Sequence, residues 1–95
     1  TLIPMFVVIR ITAFTAGGKA TQAVASFGGN SATYDDFINS VTYTVANNDY
    51  FQTDGPTDSS EATTQAAGDS FRVSIETASD ATTETWAIDL FGYLV

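Results

Sequence analysis

Met5-Phe6-Val7-Val8-Ile9-Arg10-Ile11-Thr12-Ala13-Phe14-Thr15 is the stretch that decides the fold. Val, Ile and Phe dominate it, and β-branched and aromatic side chains suit a pleated strand better than a helix. Gly17-Gly18 follows and can supply the positive φ angles of a two-residue hairpin turn, with the returning strand expected over Lys19 to Phe27. That turn predicts Ile11 opposite Val24 and Ile9 opposite Ser26 on one face, and Val8 opposite Phe27 and Arg10 opposite Ala25 on the other. Both faces of the first strand are then largely apolar. An antiparallel strand with one wet face alternates more cleanly, so this one is expected either central in a sandwich or with one face against another subunit.

Further along, Gly28-Gly29-Asn30 breaks the chain, and Ser31 or Thr33 is positioned to cap a short helix with Tyr34, Phe37 and Ile38 on one face at i, i+3 and i+4. Asp35 and Asp36 fall in its first turn, where the helix dipole favours their charge. Val41, Tyr43 and Val45 alternate with polar or small residues as a half-buried strand that ends at Asn47-Asn48-Asp49. From Thr53 to Ser70 no large apolar residue occurs, which reads as a long, exposed, acidic loop at 53–70. Phe71-Arg72-Val73-Ser74-Ile75-Glu76 is the cleanest strand, with Phe71, Val73 and Ile75 inward. After the polar stretch Thr77 to Thr83, Trp86, Ile88 and Leu90 alternate with Ala87 and Asp89. Gly92 then marks a bulge or close approach before Tyr93, Leu94 and Val95. The whole predicts one all-β domain over residues 1–95, a small antiparallel β-sandwich or jelly-roll-like barrel of about five to seven strands with one short helix.

The 95 residues carry three Lys or Arg against eleven Asp or Glu, a net charge of -8, with neither Cys nor His. No thiol nucleophile, disulfide framework or zinc-thiolate site is possible, and the commonest general base and metal ligand are missing. Arg10, Lys19 and Arg72 are the only cations available to track a phosphate backbone, so a nucleic-acid partner is not expected. The apolar stretch Leu2 to Ile11 is interrupted by Pro4 and Arg10 and falls far short of the roughly 20 residues that span a bilayer, so no membrane partner is expected. No cationic region precedes it, as a signal peptide requires, and no Asn-x-Ser/Thr acceptor occurs.

The remaining candidates for chemistry each have a plainer explanation. Asp35-Asp36 are sequence neighbours that a helix would not aim at one site, and Glu76 and Glu84 border a solvent loop. Asp49, Asp54, Asp58 and Glu61 are oxygen donors of the kind calcium takes, without the alternating acids of an EF-hand loop. Ala16-Gly17-Gly18-Lys19-Ala20-Thr21 lacks the first Gly of a phosphate loop and has Ala20 where the metal-binding hydroxyl belongs. Ser is plentiful, but no triad forms without His. The run Thr1-Leu2-Ile3 with Val7-Val8-Ile9 is similar to the start of type IV pilins over barely a dozen residues. It departs at Pro4 and Met5, which offer no acid, and at Gly17-Gly18, which interrupts the long helix such pilins need.

These readings converge on a protein without catalysis, cofactor or metal, acting by oligomerisation or lattice packing. A minor virion or phage capsid component of the decoration or cement kind, located in the virion, fits that character. Its expected partners are copies of itself and a larger assembly such as a capsid shell. Leu2, Ile3, Phe6, Val8, Tyr50, Phe51, Tyr93, Leu94 and Val95 are the expected subunit contacts, because they are apolar at the chain ends or misplaced for burial. The alternative is an extracellular carbohydrate-binding or adhesion-type β-sandwich using Trp86, Tyr50 and Phe51 as stacking faces, with calcium assistance at Asp54, Asp58 and Glu61.

Overall fold

The computed structural model describes residues 1–14, 21–44, 50–57, 64–66, 68–81 and 83–95. Six strands form in chain order: β1 (Leu2–Phe14), β2 (Ala23–Gly28), β3 (Ile38–Tyr43), β4 (Tyr50–Asp54), β5 (Arg72–Thr77) and β6 (Glu84–Leu94). They make two antiparallel three-stranded sheets, ordered β4-β1-β6 and β3-β2-β5, packed together as a small sandwich. The all-β expectation holds, with six strands and, among the described residues, no helix.

The core is the layer between the sheets. Val7, Ile9 and Ile11 from β1 meet Ala25 and Phe27 from β2, with Phe37, Ile38 and Tyr43 completing the buried set. The period of two along β1 explains this: odd residues from Val7 to Ile11 face in, while Phe6, Val8 and Arg10 lie on the outer face. β1 is thus the central strand of its sheet, one of the two places its composition allowed.

The expected hairpin between β1 and β2 does not form. β1 and β2 lie in different sheets, each in the middle of its own. Ile11 is flanked by Tyr50 and Trp86 rather than Val24, Ile9 by Gln52 and Ile88 rather than Ser26, Val8 by Thr53 and Asp89, and Arg10 by Phe51 and Ala87. Gly17-Gly18 itself lies outside the described residues. A Gly pair is a local cue, whereas β1 is apolar enough on its inner face to need a facing sheet, which a hairpin partner in the same sheet does not supply.

The expected helix after Asn30 is also absent, and a turn held by one side chain stands in its place. Asn30 Oδ1 accepts from the backbone N–H of Asp35 at 2.8 Å and of Asp36 at 3.1 Å, while its Nδ2 donates to Asp35 Oδ1 at 2.7 Å and to Thr33 Oγ1 at 3.0 Å. The Asn30 side chain takes both amides without any helix following, the competition that keeps Asn at turns. Tyr34 sits there at φ 49°, in the left-handed region. Phe37 and Ile38 still reach the core as their hydrophobicity requires.

Four one-residue register shifts shape the ladders, two of them in β1 against β6, around Met5 and Thr12, and one in β5 against β2, at Glu76. The fourth gives β2 one residue, Ser26, against Asn39 and Ser40 of β3. Ser40 takes φ 56° and donates its N–H to Ser26 Oγ at 2.9 Å, so the fully buried Ser26 is satisfied by the bulge that opposes it. Within the polar segment after β4, Gln65 departs from the exposed reading. It is buried, and it exchanges two backbone hydrogen bonds with Leu2 (Leu2 N–H to Gln65 O at 2.9 Å, Gln65 N–H to Leu2 O at 2.8 Å).

Candidate interaction surfaces

One long side of the sandwich is sealed. On the inner face of β4, Asp54 accepts from the buried Tyr43 hydroxyl of β3 at 2.7 Å, and Gln52 Nε2 donates to both Asp54 oxygens at 2.9 and 3.0 Å. The Tyr50 hydroxyl donates to Gln52 Oε1, closing a polar row that ties the β4 edge of one sheet to the β3 edge of the other. Burial first, then the Asp54 hydrogen bond and charge, pushes the Tyr43 phenol well above the ordinary tyrosine range. Tyr50 is raised by burial and then by the Asp54 charge. Asp54, one expected calcium donor, is therefore committed to Tyr43 and Gln52. Asp49, Asp58 and Glu61 lie outside the described residues, among which no group of three acids gathers.

The other long side is open. The edges of β5 and β6 stand apart there, and a cavity of about 330 Å³ runs between them, lined by Val73 and Ile75 from β5, Trp86 and Ile88 from β6, and Ala23 beneath. A neighbouring hollow of about 260 Å³ continues it past Phe71, Arg72 and Leu90. Val73 and Ile75 do face the inter-sheet space, as the alternation predicted, yet they remain 42% and 51% exposed because nothing among the described residues lies over them. Phe71 is half-buried, edge-on to Phe37 with centroids 5.7 Å apart.

Trp86 forms a wall of this cleft. Its ring meets Tyr43 edge-on at 5.3 Å, and its Nε1 donates to Glu84 Oε1 at 3.1 Å. Ser79 donates its hydroxyl to the other Glu84 oxygen, so the carboxylate at the closed end of the cleft is occupied. Trp86 and Tyr50 flank Ile11 on the inner face, whereas Phe51 flanks Arg10 on the outer, so the three expected stacking residues do not share one surface.

The outer face of the β4-β1-β6 sheet carries most of the expected contact residues. Phe6 stacks on Phe91 with centroids 5.0 Å apart and planes 16° from parallel. Val8 lies between Thr53 and Asp89, and Arg10 between Phe51 and Ala87. Phe51 is 62% exposed, and Met5 at the bulge is exposed beside this row. Leu2 and Ile3, half-buried, pair with Leu94 and Tyr93 past the bulge, where Leu94 reaches 79% exposure and Tyr93 and Val95 are also exposed. Tyr50 stands apart from this set, on the inner face.

Asp35, Asp36 and Glu84, among the acids singled out in the sequence, are each engaged locally. Asn30 and then Thr33 hold the Asp35 carboxyl below the usual carboxylate value, and Asp36 Oδ1 accepts from the Gly29 N–H at 2.8 Å. The cleft residues Val73, Ile75 and Ile88 were not anticipated as surface. Their signal was present, since three-stranded sheets have two edges each, but the strand order that leaves β5 and β6 at adjacent edges is not written in local periodicity. Neither protein-family models, nor curated proteins, nor solved structures offer a match to this chain.

Proposed function

We propose that this protein is a non-catalytic structural protein that acts by packing against copies of itself and against a larger protein assembly, as a minor virion or phage capsid component of the decoration or cement type. The observation that carries this reading is the amount of large apolar surface left open on so small a body: Phe51 on β4, Phe91, Tyr93, Leu94 and Val95 towards the chain end, and Val73, Ile75 and Ile88 together along the cleft. Scattered exposed apolar residues are ordinary, whereas a contiguous group such as the one along the cleft is the mark of a surface that becomes covered. Covering a Leu or Phe gains about 1.5–3 kcal/mol before the cost of association. The net charge of -8 keeps free copies apart and favours a surface with cationic patches as the final neighbour.

Light scattering over a concentration series tests the reading. The wild-type chain is expected to form species larger than a monomer, and Phe51→Asp combined with Leu94→Asp is expected to remove the largest of them while the chain stays folded. A chain that stays monomeric at every concentration, and adds to no particle, overturns it.

A further inference from the structure

The open side of the sandwich has a polarity that selects its occupant. Among the described residues no strand pairs with the outer edge of β5 or of β6, so each presents unpaired backbone donors and acceptors beside an apolar cleft. That combination calls for extended backbone, since only another strand satisfies a ladder edge. The polar side chains at the cleft's closed end, Ser79, Glu84 and Trp86, already bond one another. They leave little to orient a small polar ligand.

Charges then distinguish one strand from another. β5 bears Arg72 near one end and Glu76 near the other, four residues and about 13 Å apart along an extended strand, too far to pair with each other. Glu76 sits at the one-residue register shift between β5 and β2, so Arg72–Ile75 is the regular edge and Glu76 closes its far end. Charges at the ends of a short edge strand ordinarily repel strangers. Here they are of opposite sign and symmetric about Ser74, so a reversed copy of the same edge matches both. With Ser74 opposite Ser74, Val73 meets Ile75 of the second copy on the cleft face, and Arg72 comes beside its Glu76 at both ends.

We propose that this open side is a self-complementary interface on which a second copy docks antiparallel, edge to edge, with a two-fold axis at Ser74. A two-fold axis normal to the sheets brings the β6 edges face to face as well, so each cleft is closed by its mirror in sequence and both three-stranded sheets continue across the dimer. The inference rests on the reading of the chain as self-associating, and it deepens that reading by naming the surface.

Charge exchange tests it in the full chain by sedimentation velocity. Glu76→Arg and Arg72→Glu each place like charges together twice, and each is expected to weaken the dimer at least about tenfold, while the double exchange R72E/E76R returns it to within about threefold of wild type. Because the chain has no Cys, Ser74→Cys forms a covalent dimer on oxidation if the two edges meet there. Directly opposed Cα atoms lie about 4.5–5.5 Å apart, within disulfide range. Should a single exchange fail to fold, the cysteine variant decides alone. A dimer indifferent to both single exchanges, or an oxidised Ser74→Cys chain that stays monomeric, overturns this interface. Assembly lost in Phe51→Asp/Leu94→Asp but retained in the exchanges would leave the structural role standing and this inference fallen. A wild-type chain that never associates overturns both.

Discussion

Tyr43 concentrates in one side chain what holds the sealed side together. It is wholly buried, its ring meets Phe27 and Trp86 edge-on, and its hydroxyl donates to Asp54 across the two sheets. Tyr43→Phe keeps the ring and removes the donor, so it is expected to cost about 1.5–3 kcal/mol at neutral pH, the worth of a hydrogen bond to a charged group. The pH dependence has a definite sign. The folded-state value is raised above the ordinary value of about 10, so the unfolded chain releases its phenol proton first as alkali is added. The contribution is therefore complete below about pH 10 and is lost as pH rises beyond it. Urea midpoints should fall more steeply above that pH for wild type than for Tyr43→Phe, with the variant's residual slope carried by Tyr50, which is raised in the same direction. Parallel declines would show that Tyr43 does not couple folding to alkali.

At the scale of the element, the junction of β1 and β6 is the most sharply determined. A Cβ on Gly92 would stand 2.3 Å from the Ile3 carbonyl oxygen and 3.0 Å from Pro4 Cα, both backbone atoms that cannot swing away. Gly92→Ala is expected to destabilise the fold by about 1–3 kcal/mol, read as a lower melting temperature with an unchanged far-ultraviolet spectrum. A neutral substitution would mean that the two strands part there without cost. This close approach was legible from Gly92 alone, a Gly inside an otherwise regular run of Trp86, Ile88 and Leu90. The inner row Val7, Ile9 and Ile11 and the alternation of β5 were legible for the same reason, since a period of two reports which face is apolar. Partnership was not. Gly17-Gly18 advertised a neighbour by its turn chemistry, but β1 found its neighbours at Tyr50–Asp54 and Glu84–Leu94, distant in the chain and joined through the need to face a second sheet. The spacing of Tyr34, Phe37 and Ile38 imitated a helix because a turn and a strand start also deliver residues to the core at irregular intervals. Asn30, the residue that decided the matter, acts through its side chain and leaves no trace in hydrophobic periodicity. Apolar character alone does not tell that Phe51 and Leu94 stand exposed, and the alternation of β5 places Val73 and Ile75 inward without telling that they remain 42% and 51% exposed there.

For the whole molecule, charge and apolar surface act against each other. A body of net charge -8 repels its copies over the screening distance, which shrinks from about 30 Å at 0.01 M salt to about 3 Å at 1 M. Self-association is thus expected to strengthen across that range, even as the difference between wild type and Glu76→Arg narrows, because salt screens the cross-copy pairs along with the general repulsion. Sedimentation at several salt concentrations reads both trends at once, and association that weakens with salt would mean that local pairs outweigh the overall field. The hydrogen bond from Tyr43 to Asp54 ties the sheets along one long side, so the sandwich is built like a bound volume, with a stitched spine and open fore-edges. If copies join at those fore-edges as proposed, each supplies the binding that the other lacks.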